Sequence, residues 1–466
     1  MNRLTGLMAA MAVLTVGPVW AAPDPLQAGA EAARDRALTD PTAYDVVESL
    51  STEVGPRLAG SEAAAWARDW GVAKLKALGF SNVHVEPFPI TGWARGPESA
   101  EVISPFPQRL AVIGLGGGVS TPPEGIEGEM AIFHSYADLL AAPVGSLAGK
   151  IAVVTEAMPR SNAGAGYGQL NPNRRAGPSE AARRGAIGYL VRSLDTGVDR
   201  EPHTGALNYK ADAPKIPAAA LSVIDAQLLD RMATRGVPVR IRMRTTGTSF
   251  PATGWTVVGD IPGVKHPDQV IIVGGHLDSW DAGTGSIDDG TGIAITVAAI
   301  KMAAAGHPPE RTLRAVMFGA EEMDFTDKAF TAAHLAEAGK IVVIGESDSG
   351  ADNILSMQLP AGGTALPQMQ GLSPALAPLN VPVSPQASLR GGSDITGLAQ
   401  AGVPVVSFRQ DASRYFDWHH SAEDTLDKVD RAQLNQNVAA WAAFLYMTAN
   451  SDVDFRAGMA AAAPKP

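Results

Sequence analysis

The sequence predicts an α/β protein: a mostly parallel, mixed sheet flanked by helices, with a smaller α/β module inserted into it. Three observations predict this. From about residue 250, continuous apolar strands alternate with helical segments, the pattern of a parallel sheet covered on both faces. From 107 to 248 the chain changes to short strands separated by loops rich in Gly, Pro and Asn. Four clusters of histidine and carboxylate residues each follow an apolar strand, two of them immediately, where open α/β sheets carry their sites.

At the N-terminus, Asn2 and Arg3 precede the apolar run Leu4–Val16, followed by Pro18 and the small-residue site Val19-Trp20-Ala21-Ala22. That order reads as an export signal over residues 1–21. The run is shorter than the roughly 18 apolar residues of a membrane span, and no other stretch reaches that length. The expected product is exported, periplasmic or secreted, without a membrane span.

Residues 22–106 form the first part of the main domain. Val46, Val47 and Leu50, then Trp66, Trp70 and Leu75, recur at helical spacing, and Gly79 stops the pattern. Asn82–Phe88 alternates like a strand. In the 107–248 module, Ile151–Val154 and Ile187–Val191 read as strands, Met158–Pro178 as a long polar loop, and Ser179–Arg184 and Ile224–Arg235 as helices. Its His134 and His203 belong to no acid/histidine cluster, so a helper role is expected. The main part resumes over 249–450. Strands are expected at Val270–Val273, Leu313–Phe318, Ile341–Ile344 and Pro404–Phe408, and helices at Ile293–Ala305, Lys328–Ala338 and Gln433–Asn450. The Ala/Pro-rich segment 451–466 reads as a flexible tail.

Composition narrows the chemistry. The chain of 466 residues has 37 basic and 48 acidic side chains, a net charge of −11, which argues against a nucleic-acid partner. It has no cysteine, so thiolate nucleophiles and zinc-thiolate sites are excluded. Any metal centre must use His, Asp and Glu.

Those residues stand in the four clusters. They are Gly275-His276-Leu277-Asp278-Ser279 with Asp288-Asp289-Gly290 following, then Gly319-Ala320-Glu321-Glu322, Glu346-Ser347-Asp348-Ser349, and His419-His420-Ser421-Ala422-Glu423-Asp424-Thr425. Each alone reads as a turn or helix cap. Four at the ends of strands in one domain should converge. Imidazole and carboxylate suit zinc, and a carboxylate can bridge two metals. A glutamate that ligates no metal is then needed to take a proton from water, and Glu321-Glu322 can supply one ligand and one base.

These motifs, in this order and spacing, resemble the M28 family of zinc peptidases, specifically its members with two co-catalytic zincs. The resemblance also covers Pro56–Ser61, Gly92–Ala100 and Gly391-Gly392-Ser393-Asp394, and so spans the chain beyond the signal. It implies a zinc-peptidase fold with an inserted protease-associated domain and, typically, a homodimer. It implies that His276 and Asp348 hold one zinc, Glu322 and His420 the other, and that Asp288 bridges them, with a cis peptide after it. Glu321 would be the general base, and Asp278 would orient His276 from behind. The family's His-x-x-x-Asp-Thr spacing selects His420 as the ligand, leaving His419 as a candidate oxyanion donor. Ser393 and Asp394 are candidate substrate contacts. His84, His266, His307 and His334 are not expected to ligate metal.

The function implied is a di-zinc exopeptidase acting on dipeptides or short peptides with a free amino terminus. An aminopeptidase acting on longer peptides is the close rival. A receptor-like module without activity is the distant one, since all five ligand positions and the base are present.

Overall fold

A computed structural model describes residues 24–463; the expected export signal lies outside the described residues. The main sheet has five strands in the order Ser81–Arg95, Gly247–Ile261, Arg311–Phe318, His266–His276 and Ile341–Glu346. The last three are parallel to one another, while the first two pairings are antiparallel. The expected parallel character is thus confined to the half of the sheet that carries the clusters. Val405 extends it by a parallel bridge to Ile344.

Alternation along these strands divides the core. Ile271, Val273, Leu313, Ala315 and Met317 face one layer of helices, chiefly Thr291–Ala304, Arg431–Ala449, Pro25–Ala37 and Glu62–Ala77. Ile272, Val316, Phe318 and Ile344 face the other, with Phe330 from Thr326–His334 and Leu398 from Thr396–Gln400. Burying each such side chain contributes about 1.5–3 kcal/mol, and the two-faced burial explains why these strands read as unbroken apolar runs.

A second sheet of eight strands is built from residues 99–244. Its central strands Ile126–Phe133, Ile151–Val154, Gly188–Arg192 and Ala218–Leu221 are parallel. Strand Ser99–Ser104 pairs within it, ahead of the expected boundary at 107. The long strands Ser81–Arg95 and Gly247–Ile261 pair along their length and carry the chain out to this unit and back.

Three local expectations change. Much of the predicted loop Met158–Pro178 is part of a helix, Ala165–Arg183, despite Pro172 and Pro178 inside it. Tertiary packing overrides propensity there: Leu170, Asn173, Arg174, Ala181 and Ala182 are buried, and the Tyr189 hydroxyl donates to the Asn173 carbonyl at 2.9 Å. The 451–466 segment is not loose over its described part. Phe455–Ala462 is a helix capped by Asp454, and Phe455 is buried in the main core. The predicted strand at 404–408 is instead Ser407–Gln410, paired with Ile354–Gln358.

Candidate active site

The four clusters meet beyond the carboxyl ends of the parallel strands. Strand His266–His276 ends on His276, and the next turn leads to Asp288 at the start of helix Thr291–Ala304. The peptide between Asp288 and Asp289 is cis. Glu321 and Glu322 follow strand Arg311–Phe318, and Asp348 follows strand Ile341–Glu346. His276 Nε2 lies 3.0 Å from Asp288 Oδ1 and 3.5 Å from Asp348 Oδ1. On the other side of Asp288, His420 Nε2 lies 3.3 Å from its Oδ2 and 3.0 Å from Glu322 Oε2. Asp288 therefore stands between one His/Asp pair and one His/Glu pair.

The donor set fits metal. Asp288 Oδ2 and Glu322 Oε1 are buried without a hydrogen-bond partner, and buried carboxylate oxygens need one. Ligand atoms of His276, Asp288 and Glu322 lie within 4.8 Å of one another, as do those of Asp288, His419 and His420. Imidazole nitrogens and carboxylate oxygens gathered in one buried cluster suit zinc by chemistry.

The acids and bases tune one another. Burial disfavours charge on His276 and His420, yet the carboxylates facing them hold both well above the usual histidine range. Burial also opposes charge on Asp288, but His419 and His276 hold it well below the usual carboxylate range. Burial pushes Glu321 up to about 8 against the pull of His276, and Glu322 to about 7 against that of His420. These are values of the metal-free protein; a bound cation favours the ionised forms.

Behind the site, the Asp278 main-chain carbonyl lies 2.9 Å from His276 Nδ1, nearer than its carboxylate at 3.7 Å. The Asp278 carboxylate instead accepts the N–H of Glu321 at 3.0 Å and of Glu322 at 3.3 Å. One aspartate thus positions the histidine with its backbone and the two glutamates with its side chain. Asp289, beside Asp288, accepts from the N–H groups of His276 and Gly292, as a helix cap does.

His419 stacks on His420, with ring centroids 3.5 Å apart, and its Nε2 lies 3.5 Å from Asp288 Oδ2. Tyr167, Tyr415 and Phe416 surround it. Burial and the neighbouring His420 push its pKa well down, against the pull of Asp288. Ser393 is exposed at the rim, with its hydroxyl 3.5 Å from Asp348 Oδ2. Asp394 is buried, and its N–H donates to Glu346. His84, His266, His307 and His334 belong to none of these clusters.

Several site residues escape sequence reasoning. Asp424, noted only as part of a motif, accepts the N–H groups of Ile287 and Asp288. Arg57 is fully buried and donates to the carbonyls of Leu277, Thr284 and Gly285. Tyr167, Asn171, Arg174 and Arg175 of helix Ala165–Arg183 wall a cavity of about 430 Å³ opposite Glu321 and His419. The reading of that helix as a loop hid its side chains. A second cavity of about 660 Å³ adjoins it, sharing Arg175, Glu321, Asp324 and Ser393.

Comparison with known proteins follows the same lines. A sequence profile of Peptidase family M28 matches residues 256–445. Carboxypeptidase Q of Bos taurus is 36% identical over 410 residues, covering 87% of this chain and 85% of that protein. The chain belongs to the M28 peptidase family. A crystal structure of a peptidase M28 precursor from Shewanella amazonensis superposes with a TM-score of 0.89 at 41% identity, covering 92% of this chain and 98% of that one. A zinc aminopeptidase of Bacillus subtilis shares the fold, with a TM-score of 0.63 at 16% identity over 89% of this chain and 96% of its own. As an M28 member the chain is a metallo-exopeptidase, and zinc is the metal its family and its donor set imply. Among the described residues, no helix is long and apolar enough to cross a membrane.

Proposed function

We propose that this M28 peptidase is an exported enzyme that binds two zincs and hydrolyses dipeptides or short peptides with a free amino terminus. The observation that carries the reading is the position of Asp288, between His276 and Asp348 on one side and His420 and Glu322 on the other. In this reading His276 and Asp348 would hold one zinc, Glu322 and His420 the other, and Asp288 would serve both. When bound, the ions polarise the scissile carbonyl and lower the pKa of water.

The chain's own residues supply the rest. Glu321 takes the proton of the attacking water as the C–O bond forms, and returns it to the leaving amine as the C–N bond breaks. Asp278 fixes the backbone from which Glu321 projects. His419, held by aromatic rings, offers a ring N–H to the carbonyl oxygen as it gains charge. Ser393 offers its hydroxyl at the rim beside Asp394. A cavity of this size suits a short peptide. The adjoining cavity supports a second reading, an aminopeptidase acting on longer chains. We read the inserted eight-stranded unit as the protease-associated domain.

The test is a panel of free and N-blocked dipeptides. The free forms should be cleaved and the blocked forms spared; equal rates would remove the claim of amine recognition.

A further inference from the structure

We infer that the inserted unit positions one of the metal ligands, through Thr204 and Arg174 acting on His420. The inference rests on the reading of His420 as a zinc ligand, and goes beyond it by assigning a positioning role to a unit whose sequence carries no acid/histidine cluster.

Residue 204 grips residue 420 twice. The Thr204 N–H donates to the His420 carbonyl at 2.9 Å, and the Thr204 carbonyl lies 3.3 Å from His420 Nδ1. The ring's other nitrogen, Nε2, faces Glu322 and Asp288. A ligand nitrogen carries no proton, so with Nε2 on the metal the ring proton sits on Nδ1 and needs an acceptor. The Thr204 carbonyl is that acceptor, which fixes both tautomer and ring orientation. His420 also has φ 64°, a left-handed backbone that is unfavourable for a residue with a β-carbon. The Thr204 N–H helps hold it there.

Arg174 completes the clamp. It is 3% exposed, and its Nη1 donates to the same Thr204 carbonyl at 3.3 Å. Nη1 is 3.4 Å from His420 Nδ1, but both carry protons in the ligating state, so the shared carbonyl is what joins them. Its Nη2 donates to the Tyr167 hydroxyl at 2.9 Å. Gly205, at φ 139°, is required beside it, since a β-carbon there would run into the guanidinium. Thr204 is in turn anchored to its own unit, its hydroxyl donating to the Gly114 carbonyl at 2.8 Å, and it accepts at 3.2 Å from Arg95, the last residue of the strand that leads into that unit. Displacement of the inserted unit therefore acts directly on His420.

The test is zinc titration of the full-length, chelator-stripped protein against a competing chelator, reading the binding constants of both sites. His420→Ala marks the site that His420 serves. Arg174→Met should weaken that same site by about 10–100-fold, the usual effect of losing an outer partner of a ligand, and leave the other unchanged. Tyr167→Phe, which keeps the guanidinium and removes one acceptor, should weaken it by about fivefold and keeps the question open to test should Arg174→Met misfold. If His420→Ala abolishes one site while Arg174→Met and Tyr167→Phe bind both zincs as the wild type does, the positioning role is overturned and the ligand reading stands. If His420→Ala keeps both sites, the ligand reading itself fails.

Discussion

The Asp424 carboxylate accepts the N–H of Asp288 at 3.2 Å, and that of Ile287 at 2.6 Å, so the acid ending the last histidine motif fixes the backbone of the acid at the centre of the site. Asp424→Ala leaves two buried N–H groups unpaired, at a cost of about 1–3 kcal/mol each. Zinc content after gel filtration should fall, and kcat/KM should drop about 10–100-fold. Asp424→Asn keeps one acceptor oxygen and should lose less. Equal zinc content and kcat/KM in wild type and Asp424→Ala would show that Asp288 does not depend on this contact.

The proposed mechanism gives the adjacent Glu321 and Glu322 different roles. Glu321→Gln should lower kcat by at least about 10²–10⁴-fold, the scale of general-base catalysis, with zinc content unchanged. Glu322→Gln should lose zinc. Elemental analysis of both variants decides the assignment, and the opposite pattern of zinc loss would exchange the two roles.

Arg57 spans the turn that joins His276 to Asp288. Its guanidinium donates to the carbonyls of Leu277, Thr284 and Gly285, which carry the chain past Asp278. A lysine cannot reproduce a planar fork of five donors. Arg57→Lys should lower stability by about 3 kcal/mol, through carbonyls left buried and unpaired, and should lower zinc content with it. A melting temperature equal to wild type would show that the turn holds without the fork.

Asp195, buried beside His203 in the inserted unit, gives a pH signature from a group that is not among the proposed metal ligands. Burial raises its carboxyl to about 7, against the Gly197 N–H that favours the ionised form. The folded pKa lies above the ordinary value, so folding favours the protonated acid. The contribution is complete below about pH 4 and is lost as pH rises through about 7. Asp195→Asn mimics the neutral form. It should match the wild type near pH 4 and be more stable at pH 8, by about 4 kcal/mol. Thermal melts at both pH values check this, and a variant less stable at pH 8 would reverse the sign.

Much of the main sheet was legible because its strands are buried on both faces. Ile271–Val273 and Leu313–Phe318 alternate between two helical layers and so appear as apolar runs. The clusters at His276, Glu321 and Asp348 were legible because each follows such a run; His419 and His420 come after the short strand Ser407–Gln410, outside that sheet. The inserted unit was harder to read. Pro172, Pro178 and several glycines suggest a loop, yet packing around Asn173, Arg174 and Tyr189 holds a helix there. With the helix went Tyr167, Arg174 and Arg175. Asp424 and Arg57 act on main-chain atoms far along the sequence, a contact that leaves no local pattern. Asp278 is expected to orient His276; its main-chain carbonyl does so at 2.9 Å, while its carboxylate turns to the glutamates. Spacing reveals that two groups are near; it does not choose between a residue's backbone and its side chain.

The central claim is a pair of zincs gathered on Asp288. The direct measurement is metal content per chain together with dipeptide hydrolysis, before chelation, after chelation and after zinc is returned. The account predicts two zincs per chain, loss of hydrolysis with the metal, and recovery as the second equivalent binds. One zinc per chain at full activity, or hydrolysis that survives complete removal of metal, would contradict it.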